Sequence, residues 1–367
     1  MDKLVKYEVF VLRMVLALGV LMSACGGSST TSETQPAETR PASTGPLAVM
    51  EWSGYELPEF WAKFAEQHPD VKVDYSFFGE DAEALTKVQS GFQTDIIHPC
   101  NSWTNQYVEN DLILPIDTSR LSNWKDLNPV LINTGQVNGQ QYLVPWEWGY
   151  ESILVRTDKV SEIPDSWADL WDPQYAGHVT MFDSGETAWI TTALALGFDP
   201  YNTTPEQQEA IQQKLIELKP NLLNYWTDFT EVIQMMASGD IWIAANAWPD
   251  AYLELKNQGI PVEYIEPKEG RLGYVCGFVI TKESPNVDLA YDYIDATLDP
   301  QAMAFLSNEY GYGASNTKAL PLTDPETIDL MMLDDSDVIS RTFFYQPLTN
   351  EQRQLFTETW SQVKAAP

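Results

Sequence analysis

The chain has 367 residues, with 53 acidic against 21 basic side chains and a formal net charge of −32. That length outgrows a single hydrophobic core and suggests two lobes, while the acidic balance, with no basic patch, argues against nucleic acid as a partner. Such a field concentrates cations and repels anions, and it equally serves solubility at an exposed surface.

The chain opens on Lys3, Lys6 and Arg13, followed by an apolar run from Met14 to Met22 that is too short to span a bilayer. Ser23, Ala24 and Cys25 come next, as in a bacterial lipobox, although Met22 stands where leucine is commoner. An ordinary secretory signal with a chance cysteine is the plainer reading. The lipoprotein is preferred because residues 26–46, nearly all Gly, Ser, Thr, Pro and Ala, have no apolar period and read as a flexible tether. Residues 1–24 are therefore expected to be a signal peptide, 25–46 a tether, and Cys25 the lipidated residue. Its acyl chains would anchor the protein at the cell envelope, in the periplasm or on the outer face of the cytoplasmic membrane.

From Leu47 the pattern alternates. LAVMEW (Leu47 to Trp52) reads as a buried strand, Pro58 to His68 as a helix with Phe60, Trp61, Phe64 and Ala65 on one side, and Val71 to Gly79 as a strand. Asp81 to Gln89 reads as a helix, Asp95 to Cys100 as a short buried strand and Asn101 to Asn110 as a helix. The same rhythm resumes near Ser152: a strand in SILVRTD, the strand HVTMF, helices at Gly185 to Leu196, Glu206 to Lys219 and Thr230 to Ala237, the strand IWIAANA and a helix at Asp250 to Asn257. VEYIEP and LGYVCGFVITK follow as strands, and Asn350 to Lys364 closes the chain as a helix. Strand–helix alternation implies an α/β fold with mostly parallel sheets flanked by helices, and ligands of such sheets bind beyond the carboxyl ends of the strands.

Several segments resemble the spermidine/putrescine-binding group of bacterial extracellular solute-binding proteins, which have the type II periplasmic-binding-protein fold. They are EWSGYELPEFWAKFAEQHPDVKV, SWADLWDPQYAGHV, EPKEGRLGYVCGFVITKESPN and NEYGYGASN. The resemblance implies two lobes, each a mixed, mostly parallel sheet flanked by helices. Lobe one would be 47–151 plus 276–320, and lobe two 152–275 plus 321–367. It also implies a cleft that closes on a small solute, a monomer, and delivery to the permease subunits of an ABC importer in the inner membrane.

Polyamine binders hold methylenes between aromatic rings and amines on carboxylates, through cation–π attraction and charge-assisted hydrogen bonds. By resemblance the aromatic half is present: Trp52 and Tyr55 after the first strand, Trp248 after IWIAANA, Tyr274 where tryptophan is frequent, and Tyr312 in GYGASN. Gln346 aligns with a polar contact. Each ring could instead be packing. The acidic half departs from the pattern, since the acid positions hold Ser184, Thr187 and Cys276. Asp183 and Glu186 lie one residue away, and their Asp-x-x-Glu spacing at a helix start reads equally as a capping box. Glu147 between Trp146 and Trp148, Glu151, and Asp250 two residues after Trp248 are further candidate acids.

A small cationic amine is the expected ligand. A 4-aminobutyrate-like amino acid, a quaternary amine or a sugar is the alternative, as is a role as the ligand-binding part of a surface sensor. No nucleophile elbow, phosphate-binding loop, kinase signature or metal-spaced His/Cys group is present, so no enzyme, cofactor or metal is expected. In the type II fold the strands before Cys100 and around Cys276 are antiparallel neighbours, which implies a Cys100–Cys276 disulfide in an oxidising compartment. Two buried thiols are the alternative.

Overall fold

Leu47–Trp52 runs parallel to a strand on each side, Val73–Phe78 and Ile96–Ile97. A parallel strand is covered on both faces and so reads as a continuous apolar run; Leu47, Val49 and Met50 are fully buried. The computed structural model describes residues 45–367. The expected signal peptide, Cys25 and the tether up to residue 44 lie outside the described residues.

The strands follow one path: Val73–Phe78, Leu47–Trp52, Ile96–Ile97, Leu272–Ile280, Val144–Arg156, Ile243–Ala247, Val179–Phe182 and Leu222–Trp226. Two long strands form its middle. Val144–Arg156 is buried at all 13 positions, because it lies inside the sheet with both faces covered. Its first part, up to Glu151, pairs antiparallel with Leu272–Phe278; beyond that it pairs with Ile243–Ala247 and Val262–Tyr264. The outer strands on each side are parallel to their neighbours. The mixed, mostly parallel α/β architecture expected from the alternation is the one found.

Aromatic side chains fill the core on either side of this middle. Trp146 lies edge-on to Phe60 at 5.1 Å and its indole N–H donates to the Thr297 carbonyl at 3.0 Å. Trp189 stacks on Phe356 of the C-terminal helix at 4.7 Å, and the Trp167 indole donates to the Gly270 carbonyl at 2.9 Å. Each tryptophan thus buries its apolar body while its one donor is satisfied.

Several expected elements are shorter than the pattern suggests. The helix expected over Pro58 to His68 breaks at Trp61, leaving a 3-10 turn at Pro58–Phe60 and a helix at Ala62–Gln67. The strand expected over Asp95 to Cys100 keeps only Ile96–Ile97, since Pro99 has no N–H to give a ladder. After it come a 3-10 turn, Asn101–Trp103, and a helix, Thr104–Glu109, in place of one helix.

Candidate functional site

Side chains of a strand alternate faces, so Glu147, Gly149 and Glu151 share one face of Val144–Arg156. Their partners across the antiparallel pair are Cys276, Tyr274 and Leu272 in turn. A Cβ at position 149 would collide with the Tyr274 hydroxyl and ring. Glycine is therefore what allows the tyrosine to lie across the strand, between the two glutamates. Tyr274 in turn meets Tyr312 edge-to-face at 6.0 Å.

Glu147 is 3 % exposed. The Tyr55 hydroxyl lies 3.1 and 2.9 Å from its two oxygens, and the His98 Nε2 is 3.9 Å away. His98 is held from its other side by Nδ1 to Glu51. Burial pushes the Glu147 carboxyl up to about 7, against the pull of His98 and the Tyr55 hydroxyl. Burial would depress the His98 imidazole, but Glu51 beside it raises it on balance. Tyr55 stacks on Tyr310 at 4.6 Å. Trp52 packs on Phe78 at 4.4 Å and donates its indole N–H to the His98 carbonyl at 2.8 Å.

Glu151 is 4 % exposed. It accepts from the Tyr345 hydroxyl at 2.7 Å, and that hydroxyl is 3.1 Å from the Thr187 Oγ1. Burial pushes Glu151 up to about 8, with the Glu186 carboxyl adding to the rise. Beside it Asn246 sits at a positive φ of 60°, a conformation asparagine tolerates, with its amide on Thr191 at 2.9 Å. Asp81 accepts the Cys100 N–H at 3.1 Å and is raised by burial to about 7.

Glu186 faces Arg353 at 3.5 Å, and the Arg353 guanidinium lies 3.6 Å over the Trp103 ring. Five carboxyl groups (Glu51, Asp81, Glu147, Glu151 and Glu186) thus crowd this region against one imidazole and one guanidinium. Among the described residues, one oxygen each of Glu51, Glu151 and Glu186 has no hydrogen-bond partner. The arrangement favours a cation.

Asp183 is not part of it. The helix Gly185–Ala195 begins one residue later than a cap at Asp183 would require, and Ser184 is the N-cap, accepting the Thr187 N–H at 3.3 Å. The helix starts pressed against the C-terminal helix: a Cβ at Gly185 would sit 2.9 Å from the Phe356 carbonyl. Asp183 turns onto it, bonding the Trp360 indole and the Lys364 ammonium, both at 2.7 Å. The expected Asp183–Glu186 capping box is therefore replaced by Ser184, and Glu186 alone of that pair joins the buried acids.

Trp248 is the N-cap residue of Pro249–Asn257 and meets Trp226 and Phe182 edge-to-face at 5.3 and 5.4 Å. Asp250 follows it; burial raises its carboxyl, and its charge is felt at both Tyr274 and Tyr312. Gln346 is exposed, and its backbone N–H donates to the Tyr201 hydroxyl at 3.1 Å. Cys100 and Cys276 are disulfide-bonded, joining the residue that follows Pro99 to the one opposite Glu147.

Tyr55 and Glu147 are thus in direct contact, Tyr274 and Tyr312 touch, and Trp52 reaches them through His98. Glu51, Asp81, His98, Tyr310, Tyr345 and Arg353 join the site without having been singled out in sequence. The one signal for Glu51 and His98 was a charged or polar residue inside a short apolar strand.

A family model described as bacterial extracellular solute-binding protein matches residues 59–330. A putrescine/cadaverine-binding protein of Pseudomonas aeruginosa is 26% identical over 336 residues, covering 87% of this chain and 93% of that protein. The spermidine/putrescine-binding periplasmic protein of Escherichia coli K12 is 25% identical over 323 residues, covering 87% and 91%. Among solved structures, the spermidine/putrescine ABC transporter substrate-binding protein of Streptococcus pneumoniae superposes with a TM-score of 0.75 at 25% identity, covering 88% of this chain and 99% of that one.

Proposed function

Because this chain belongs to the bacterial extracellular solute-binding protein family, we propose that it captures a small cationic amine, putrescine or spermidine being the first candidates, and hands it to the permease subunits of an ABC importer. It is a binding protein and not an enzyme. The observation that carries the ligand class is where the carboxylates stand. Glu147 lies directly across the strand pair from Cys276, and Glu151 reaches Thr187 through the Tyr345 hydroxyl. Cys276 and Thr187 are positions where the resemblance expects acids. The long strand supplies both carboxyl groups from next door, with tyrosine and tryptophan rings around them.

A buried carboxylate without a cation is unfavourable by several kcal/mol, and an arriving ammonium relieves that cost while stacking on Tyr55, Tyr274, Tyr312 and Trp248. The lobes would divide where the long strand changes partners, giving 47–151 plus 276–320 and 152–275 plus 321–367. The protein would act as a monomer, tethered by lipid on Cys25; labelled palmitate that enters the wild type but not Cys25→Ser is the check on that anchor.

Isothermal titration with putrescine and spermidine tests the ligand class. Truncating one partner of a buried charge pair costs about 2–5 kcal/mol, so Glu147→Gln and Glu151→Gln should each weaken binding roughly 30-fold or more. Tight binding of a neutral sugar with no competition from amines would reject the proposal.

A further inference from the structure

Away from these carboxylates, a cavity of about 200 Å³ opens between the helix Pro249–Asn257 and the helix Pro325–Met331. Its lining includes Tyr252, Lys256, Tyr264, Arg271, Glu326 and Asp329. Arg271 is only 6 % exposed, yet among the described residues it forms no ion pair. Its donors go to the carbonyls of Ile265 and Tyr264 and to the Met332 sulfur, a weak acceptor. The guanidinium lies against the rings of Tyr150 and Tyr264, at 4.6 and 5.1 Å. Tyr264 stacks on Tyr252 at 5.7 Å, and the Lys256 ammonium sits 5.5 Å over the Tyr252 ring.

A buried guanidinium that faces a cavity and is paired with no carboxylate among the described residues is a ready anion partner, and its fork suits a planar carboxylate. A simple anion is disfavoured here by the charge of the whole chain and by Glu326 and Asp329, which stand exposed on the opposite wall and, among the described residues, form no ion pair. The two walls carry opposite charge and do not bridge one another. A ligand that carries both signs satisfies each of them.

We propose that this cavity is a second binding site, for a small zwitterion with a carboxylate at one end and an ammonium at the other. The carboxylate sits on Arg271 and Lys256 against the tyrosine rings, and the ammonium on Glu326 and Asp329. An occupant ties Pro325–Met331 to Pro249–Asn257. Met331 belongs to the apolar cluster that holds Met50 and Phe78, and Leu255 to the one that holds Trp226 and Leu154. Occupancy therefore links two apolar clusters that meet on either side of the cavity.

The test is isothermal titration of the whole protein with 4-aminobutyrate and 6-aminohexanoate, and with butyrate as the anion lacking an ammonium. The zwitterions should bind, and butyrate should bind at least about tenfold more weakly. Arg271→Gln should weaken the zwitterions at least about tenfold. The exposed double variant Glu326→Gln/Asp329→Asn does not disturb the core and should weaken them similarly. No binding of either zwitterion up to about 10 mM overturns the proposal. So does binding that is unchanged in the double variant, since the zwitterion would then sit elsewhere, the Glu147 region included.

Discussion

The Tyr55 hydroxyl stands within 3.1 Å of both oxygens of Glu147, tying the loop after the first strand to the floor of the long one. Among the described residues it is the one neutral donor hydrogen-bonded to that carboxylate, so it orients the group without neutralising it. Tyr55→Phe keeps the stack on Tyr310 and removes the hydroxyl. Loss of one hydrogen bond to a charged group is worth about 1.5–3 kcal/mol, and amine affinity should fall roughly tenfold or more by titration. An unchanged Kd would mean that Glu147 needs no such positioning.

Acid should weaken capture while steadying the empty protein. Glu147 at about 7 and Glu151 at about 8 lie above the ordinary carboxylate value, burial being the main cause in each. An acid whose folded pKa is raised binds its proton more tightly in the native state, so stability falls as pH rises from about 4.3, the unfolded value, through the folded pKa. The net rise at His98 acts in the same direction. Without ligand, the melting temperature should therefore decrease from pH 5 to pH 8. An aliphatic ammonium stays charged until about pH 10, so amine affinity should climb over the same window, with protons released on binding. Titration in buffers of different ionisation enthalpy counts those protons, and a count of zero would contradict the assignment.

Gly149 is open to a direct trial. Gly149→Ala places a methyl where the Tyr274 ring lies, and overpacking of this kind destabilises by about 1–3 kcal/mol. The variant should melt lower and bind amine more weakly. In a double-mutant cycle, Tyr274→Ala should restore most of the stability lost at position 149. Additive losses would place the strain elsewhere.

The Cys100–Cys276 bridge closes a separation of 176 residues. Chain-entropy arguments give such a loop about 5 kcal/mol. Cys100→Ser/Cys276→Ser should lower the denaturation midpoint accordingly, and the denatured, unreduced wild type should show no reactive thiol from these two positions.

Part of this site is legible in the sequence alone. Glu147 stands out because two tryptophans flank it in a strand, and Tyr55 because its Trp-x-x-Tyr pair resembles that of the spermidine/putrescine-binding group. The disulfide is implied only through that resemblance, which makes the two strands neighbours; the sequence by itself leaves two buried thiols open. Ser184 and Asp183 exchange roles at a helix start that lies against Phe356 and Trp360, more than 170 residues away in a helix whose contact no local pattern records. Glu51 and His98 were hidden for a similar reason. A charge inside an apolar strand is informative only once its partner is known, and theirs is each other.

The strand order also bears on how the chain matures. Proteins of this family are exported, and the amino terminus emerges first. Leu47–Trp52, Val73–Phe78 and Ile96–Ile97 can pair early, but the next strand in the sheet is Leu272–Ile280, about 175 residues later. Until that segment is delivered, Ile96–Ile97 is an open edge able to pair with another chain, and Cys100 has no partner. Tyr274, which lies between Glu147 and Glu151, arrives only with Leu272–Ile280, and Glu151 waits longer still for the Tyr345 hydroxyl. A chaperone that shields this edge, or rapid delivery of the last hundred residues, should matter more to yield than the stability of the finished protein.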